Sequence, residues 1–330
     1  MKQYDFTVVG TAATVSVLHV DEMPQAGKST AVYDENFMHF TNGGKGFNIV
    51  AGLHKLGNSV YPVLTYCDAR LRPNLHRYIE EAGMPSDGIK DPPEGALGTT
   101  LIIQDKHKNH MTLITGYAQR LPCCDYYGRQ EMLPHFFHQS KMAILTAPLA
   151  ANTEPAIRAI VESGTPLALS MCIDCNAYPP ALLWEALEHA YIVFANADEM
   201  QYIVEEYGLS EISDLFRNGK TRYLVETLGA AGSRVYERTQ EGVIVTQAKA
   251  VPAQTKTIET VGAGDGYLCG FLHGLIRGRS IADCARLGGS LSSFILEMEG
   301  SVSNLPTEEQ LLERFAASIE WERKEHEFDA

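Results

Sequence analysis

Short apolar runs alternate with amphipathic stretches along this chain. Phe6 to Val9, Val60 to Leu64, Met142 to Leu145, Leu167 to Leu169, Tyr191 to Phe194 and Tyr223 to Val225 are nearly continuous apolar runs, the pattern of strands buried on both faces of a parallel sheet. Between them, apolar residues recur at helical spacing over 45–56, 72–82, 152–163, 180–189, 197–207, 264–277 and 281–297, the sixth segment stopping at Arg277-Gly278-Arg279. Strands and helices in this alternation predict an α/β sandwich, a central and mostly parallel sheet with helices on both faces. No repeat or low-complexity linker divides the sequence, so residues 1–330 are expected as one domain, with only Trp321 to Ala330 charged enough to fray.

Two stretches depart from the alternation. Ser29 to Phe40 has strand-like patterning, and Thr99 to Thr115 reads as a hairpin whose tip, Asp105-Lys106-His107-Lys108-Asn109, is polar and turn-rich. Both lie beside a glycine-rich segment, Thr41-Asn42-Gly43-Gly44-Lys45-Gly46-Phe47-Asn48, that leads into a helix ending at Leu56-Gly57. Gly43 and Gly44 can adopt conformations closed to other residues and let backbone approach a ligand. Lys45 and Asn48 supply donors and an acceptor. No Gly-x-x-x-x-Gly-Lys-Ser/Thr spacing surrounds Lys45 or Lys28, which excludes a nucleotide P-loop.

Near the other end runs Glu259-Thr260-Val261-Gly262-Ala263-Gly264-Asp265, followed by an apolar helix. Small residues at a helix start leave backbone N–H groups unpaired, and these with the helix dipole favour an anion. Asp265 falls on the first turn beside that cradle. Phosphoryl transfer needs this pairing: a base for a hydroxyl proton and donors for the charge on the transferred group. Gly262, Ala263 and Gly264 are therefore the candidate anion hole and Asp265 the candidate general base.

Together, in this order and at this separation, the two segments resemble the signatures of the ribokinase-like, or PfkB, family of small-molecule kinases. The first signature is met by Gly43 to Asn48 with Leu56-Gly57. The second is met by residues 259–265, with Glu259 in place of its usual aspartate. Three weaker features occur between them: Asp174-Cys175-Asn176, Asn196-Ala197-Asp198-Glu199, and Thr227-Leu228-Gly229-Ala230-Ala231-Gly232. The resemblance implies a ribokinase-like three-layer αβα fold with a small β-sheet lid from about 12–40 and 98–118, sometimes shared in a homodimer. It implies ATP and Mg2+ as well. Asn42, Gly43, Gly44, Lys45 and Asn48 would bind the acceptor, and Asn196, Thr227, Gly229 and Gly232 the nucleotide. Glu199 would hold magnesium through water. Glu259 would lie beside a monovalent cation, and its extra methylene leaves K+ activation open.

The acceptor side departs from the family. Sugar kinases of this type carry an aspartate five residues past the first strand's glycine; Gly10 here is followed by Thr11-Ala12-Ala13-Thr14-Val15, placing Val15 there. Thr14, Ser16 or Asp21 could take over, with Asp68 a further candidate, or the substrate could be a nucleoside. The expected activity is ATP-dependent phosphorylation of a sugar or sugar derivative, with a nucleoside kinase as the alternative and a non-catalytic binding relative third. A nicotinamide enzyme is disfavoured, because no Gly-x-Gly-x-x-Gly follows the first strand.

Composition narrows the class further. With 330 residues and 45% hydrophobic content the chain can bury a large core. A net charge of −14 argues against nucleic acid or an anionic membrane as partner, and the sequence has neither a long apolar run nor a signal-peptide pattern, so a cytoplasmic location is expected. Seven cysteines, an odd number, suit reduced thiols. Cys172 and Cys175 form one C-x-x-C, read as small buried thiols because no second pair accompanies them. His54 is read as a surface or packing residue.

Overall fold

A computed structural model describes residues 2–34, 40–70, 72–107, 109–114, 129–174, 177–255 and 260–328. In chain order the strands and helices of the first half are β1 (Tyr4–Val20), β2 (Thr41–Gly43), α1 (Lys45–Lys55), β3 (Val60–Tyr66), α2 (Arg72–Glu81), β4 (Ile89–Lys90), β5 (Thr99–Asp105), β6 (His110–Ile114), α3 (His135–His138), β7 (Ser140–Thr146) and α4 (Ala150–Ser163). The second half comprises β8 (Leu167–Ser170), α5 (Pro180–His189), β9 (Ala190–Asn196), α6 (Ala197–Glu206), α7 (Leu215–Asn218), β10 (Tyr223–Thr227), β11 (Ser233–Arg238), β12 (Val243–Ala248), α8 (Ala263–Ile276), α9 (Ile281–Ile295) and α10 (Glu308–Phe328).

The central sheet has the order β12-β11-β10-β9-β8-β7-β1-β3-β4 and is parallel except at β11 and β12. Successive strand residues feed opposite cores. Val8, Ile144 and Ile192 join Phe47, Phe271 and Leu291 under α1, α8 and α9. Their neighbours Val9, Leu145 and Val193 join Ile157, Leu187 and Ile203 under α4, α5 and α6. This is the expected αβα sandwich, and each of the six strands and seven helices read from periodicity is present.

β1 is longer than its apolar run predicts, and its length organises the site. Its first part pairs in parallel with β3 and β7 in the central sheet. The remainder, from Ala13 onward, pairs antiparallel with β2 and parallel with β5 in a small second sheet. One strand thus joins the small sheet to the core. The Thr99–Thr115 hairpin forms as β5 and β6, closed by Asp105, whose Oδ1 accepts the N–H groups of His107 (2.9 Å) and Asn109 (3.0 Å). Ser29 to Phe40 does not supply a strand in its described part, Ser29–Asp34 and Phe40. Val32 and Tyr33 are exposed and have no sheet face to bury. This segment is held instead by the Tyr33 N–H on the His19 carbonyl (3.1 Å) and by His19 Nδ1 to Asp34 (2.7 Å).

At the C-terminus α10 runs past Trp321 to Phe328. It is anchored by buried Leu311 and by Arg314, which reaches Ser293 (3.0 Å) and Glu297 (2.5 Å) and stacks on Phe294. Among the described residues no helix is long and apolar enough to cross a membrane.

Candidate active site

Helix starts and strand ends converge on a cavity of about 550 Å3. Two glycine turns shape its floor. Gly44 caps α1 at φ 91°, where only glycine is at ease, and β1 crosses beneath it so closely that a Cβ would lie 2.9 Å from the Thr11 carbonyl. That approach brings Lys45 and Asn48 inward. Gly262 caps α8 in the left-handed region at φ 83°, with Ser301 pressed against it. Gly264 is different: a Cβ there would meet nothing, because that side opens to the cavity.

Asp265 lies on the first turn of α8 and is 8% exposed. Asn48 Nδ2 donates to its Oδ2 at 2.8 Å, and the Ser301 hydroxyl donates to Asn48 Oδ1 at 2.9 Å. Burial pushes the Asp265 carboxyl above the usual range, opposed by the Lys45 ammonium and the Asn48 bond. A carboxylate raised in this way is a stronger base near neutral pH. Lys45 Nζ donates to the Met171 carbonyl at 2.7 Å. Burial works against its charge, yet the Asp265 and Glu199 carboxylates keep it more firmly protonated than usual.

Asn196 and Glu199 close the adjoining wall from the start of α6. They form a reciprocal cap in which the Asn196 N–H donates to Glu199 Oε2 and the Glu199 N–H donates to Asn196 Oδ1, each at 2.8 Å. Both nevertheless line the cavity. Glu199 is raised by burial and by Asp265, with Lys45 opposing, so two carboxylates share one lysine here. No cluster of three or more metal-ligating side chains occurs among the described residues. Oxygen donors of the kind magnesium takes stand on the lining in Glu199, Asn196 and Asp174.

The opposite wall comes from β1 and the lid: Thr11, Ala13 and Val15, then Thr100 and Ile102 of β5, and Thr112 and Ile114 of β6. Cys67 and Gly98 complete it. Alternation along β1 decides among the substitutes for an aspartate. Odd-numbered residues face the cavity while Thr14 and Ser16 are buried on the other side, so neither hydroxyl replaces Val15. Asp21 lies outside the lining and accepts from Tyr33 (2.8 Å). Asp68 is fully buried and held by Arg70 through Nε (3.0 Å) and Nη2 (2.5 Å).

Gly44, Lys45, Asn48, Asn196, Glu199, Gly262, Gly264 and Asp265 thus share one cavity, and Asp174 joins them. Six anticipated residues lie away from its lining. Asn42 accepts the Tyr66 hydroxyl at 3.0 Å, and Gly43 packs on Val15. Thr227 pairs beside Asn196 in the sheet, with Gly229 and Gly232 in the turn that follows. Ala263 is also off the lining, and its N–H turns back to the Thr260 carbonyl (3.3 Å), leaving Gly262 and Gly264 as the residues of this turn that line the cavity. Glu259, Cys175 and Asn176 lie outside the described residues. Cys172 lines the cavity as a protonated thiol, pushed up to about 12 by burial. His54 is half-buried against Tyr78. Ser301, Thr11, Ile102 and Ala147 were not foreseen as site residues. Ala147 stands at φ 35° ahead of Pro148 on the cavity wall, a conformation no composition cue announces.

An αβα sandwich in which two glycine turns, a buried aspartate and a small second sheet enclose one cavity is the architecture expected of a small-molecule kinase. Residues 7–308 match the pfkB family carbohydrate kinase profile, and the chain belongs to that family. It is 25% identical to a nucleoside kinase of Methanocaldococcus jannaschii, the alignment covering 95% of this chain and 97% of that one. Among solved structures, the nucleoside kinase of Burkholderia thailandensis in complex with inosine superposes with a TM-score of 0.79 at 20% identity, covering 95% of this chain and 97% of the other. Arabidopsis thaliana ribokinase complexed with ribose and ATP gives 0.72 at 18% identity, with coverage of 94% and 98%. These two likenesses establish the shared fold.

Proposed function

We propose that this kinase transfers the γ-phosphoryl group of ATP to a hydroxyl of a nucleoside. The carrying observation is the acceptor wall, where Ala13, Val15, Ile102 and Ile114 stand and no charged side chain occurs among the described lining residues of β1 and the lid. A free pentose or hexose carries hydroxyls on every side, and those facing Ala13, Val15, Ile102 and Ile114 would lose water with only the Thr100 and Thr112 hydroxyls on that wall to offset the loss. A nucleoside turns a flat, largely apolar base to the wall and presents its ribose to Asn48 and Asp265. Its likeness to nucleoside kinases supports the same reading.

In this reading Asp265 takes the proton of the attacking hydroxyl as the new O–P bond forms and the bond to the β–γ bridging oxygen breaks, leaving ADP. The N–H groups of Gly262 and Gly264, at the positive end of α8, stabilise the equatorial oxygens. Lys45 spends one donor on Met171 and offers its charge to the same region. Magnesium, held by Glu199 through water with Asn196 beside it, would supply charge neutralisation of the phosphates. β5 and β6 keep water from the phosphoryl group.

The test is ADP release with ATP and magnesium across purine and pyrimidine nucleosides, pentoses and hexoses. Turnover concentrated on nucleosides is expected. Turnover confined to free sugars would overturn the nucleoside assignment in favour of a sugar kinase, the reading favoured by the polyol-type donors Lys45 and Asn48.

A further inference from the structure

We infer that Ser301 is a positioning residue that sets the orientation of the Asn48 amide and thereby holds Asp265 ready as the base. This rests on the base role proposed above for Asp265. An asparagine amide fits nearly the same space in two orientations, one presenting N–H and the other a carbonyl oxygen. Only the first suits a carboxylate. Ser301, on the loop after α9, donates its hydroxyl to Asn48 Oδ1 (2.9 Å), which leaves Nδ2 aimed at Asp265 Oδ2 (2.8 Å). Asn48 is 8% exposed, so water cannot readily take over the task.

The geometry leaves little slack. The backbone of Gly262 abuts Ser301, so the anion-hole turn and the hydroxyl are fixed against each other. With Oδ2 engaged by Asn48, Oδ1 is left for the substrate proton. Of the other titratable groups around it, Lys45 of α1 acts on Asp265, and Asp265 in turn acts on Glu199 of α6, Cys172 after β8 and Cys269 of its own helix. None of them contacts Ser301 by a hydrogen bond described here, so loss of this hydroxyl reaches Asp265 through Asn48.

Ser301→Ala in the full chain is expected to lower kcat about tenfold, the effect of one lost hydrogen bond in a chain of two, with KM for the acceptor little changed. The acid limb of the kcat profile moves upward, because an amide free to flip no longer favours the ionised carboxylate. In an Asn48→Ala background, the same serine substitution adds less than about twofold, since the route to Asp265 is already cut. Carboxyl-carbon NMR titration of Asp265 in both proteins reads the effect without any substrate: an upward shift of about one pH unit is expected in Ser301→Ala, a tenfold change in the protonation ratio. An unchanged Asp265 titration would overturn the inference, as would fully multiplicative effects of the two substitutions or a KM increase at constant kcat. Absence of turnover on every acceptor by the unsubstituted protein would instead overturn the proposed function, and the NMR titration would still decide the role of Ser301.

Discussion

The two glycines of the Gly-Ala-Gly turn are predicted to respond in opposite ways to the same added methyl group. At Gly262 an alanine would have to hold φ near 83°, which costs about 1–2 kcal/mol in the left-handed region. Its Cβ would also collide with the side chain of Ser301, and such overpacking adds about 1–3 kcal/mol. A smaller unfolded-state gain of about 0.4–1 kcal/mol offsets part of this, so Gly262→Ala should destabilise by about 1–5 kcal/mol. Gly264 lies within the helix at ordinary φ, where a Cβ meets nothing, and alanine there should be neutral or slightly stabilising. That same methyl points into the cavity and crowds the approach of a phosphate, so Gly264→Ala should lose turnover while keeping its fold. Urea unfolding at constant m-value measures the first effect and steady-state ADP release the second. Equal stability of the two variants, or full activity of Gly264→Ala, would refute the assignment of one glycine to packing and the other to the anion.

Asp265→Asn should retain nucleotide binding, read by calorimetry, while kcat falls at least ~100-fold; near-normal turnover would remove Asp265 from the base role. In the unsubstituted protein the acid limb of kcat should lie above the ordinary carboxylate range, because burial holds Asp265 up and activity is lost as pH falls through that raised value. Val15→Asp places a carboxylate on the apolar wall, and the ratio of kcat/KM for nucleoside over free pentose should drop about tenfold or more, as read by ADP release. His273 is buried between Asn58 (3.2 Å) and Glu308 (3.2 Å), and burial with Arg277 pushes its pKa down to about 4. The unfolded chain therefore binds the extra proton between about 6.5 and 4, and stability should decline as pH falls through that window. His273→Gln should flatten that part of the curve, and an unaltered slope would refute the linkage.

The central architecture was legible because β3, β7, β8 and β9 are buried on both faces and therefore continuously apolar. β1 was legible only in part: beyond Ala12 it enters a second sheet, where Thr14 and Ser16 on the side away from the cavity and His19 bonded to Asp34 interrupt its hydrophobic run. β12 escaped notice because it is an edge strand whose residues are mostly exposed, and Ser29–Asp34 misled because alternation without a pairing edge makes no strand. At the site, glycine turns and their charged neighbours carry a local signal, which is why Lys45, Asn48, Glu199 and Asp265 could be found. Ser301 carries none. It is an ordinary serine after a glycine, and its task arises only when α9 returns that loop to the Gly262 turn. The cavity-facing register of Val15, and with it the exclusion of Thr14 and Ser16 as substitutes, likewise required the path of β1.

The most direct test of the nucleoside assignment is competition in one vessel: equimolar nucleoside and its free pentose, limiting ATP with magnesium, and product identity read by phosphorus NMR. Phosphate found predominantly on the nucleoside is the outcome predicted by an apolar wall at Val15, Ile102 and Ile114 facing Asn48 and Asp265. Phosphate found predominantly on the free pentose would contradict it.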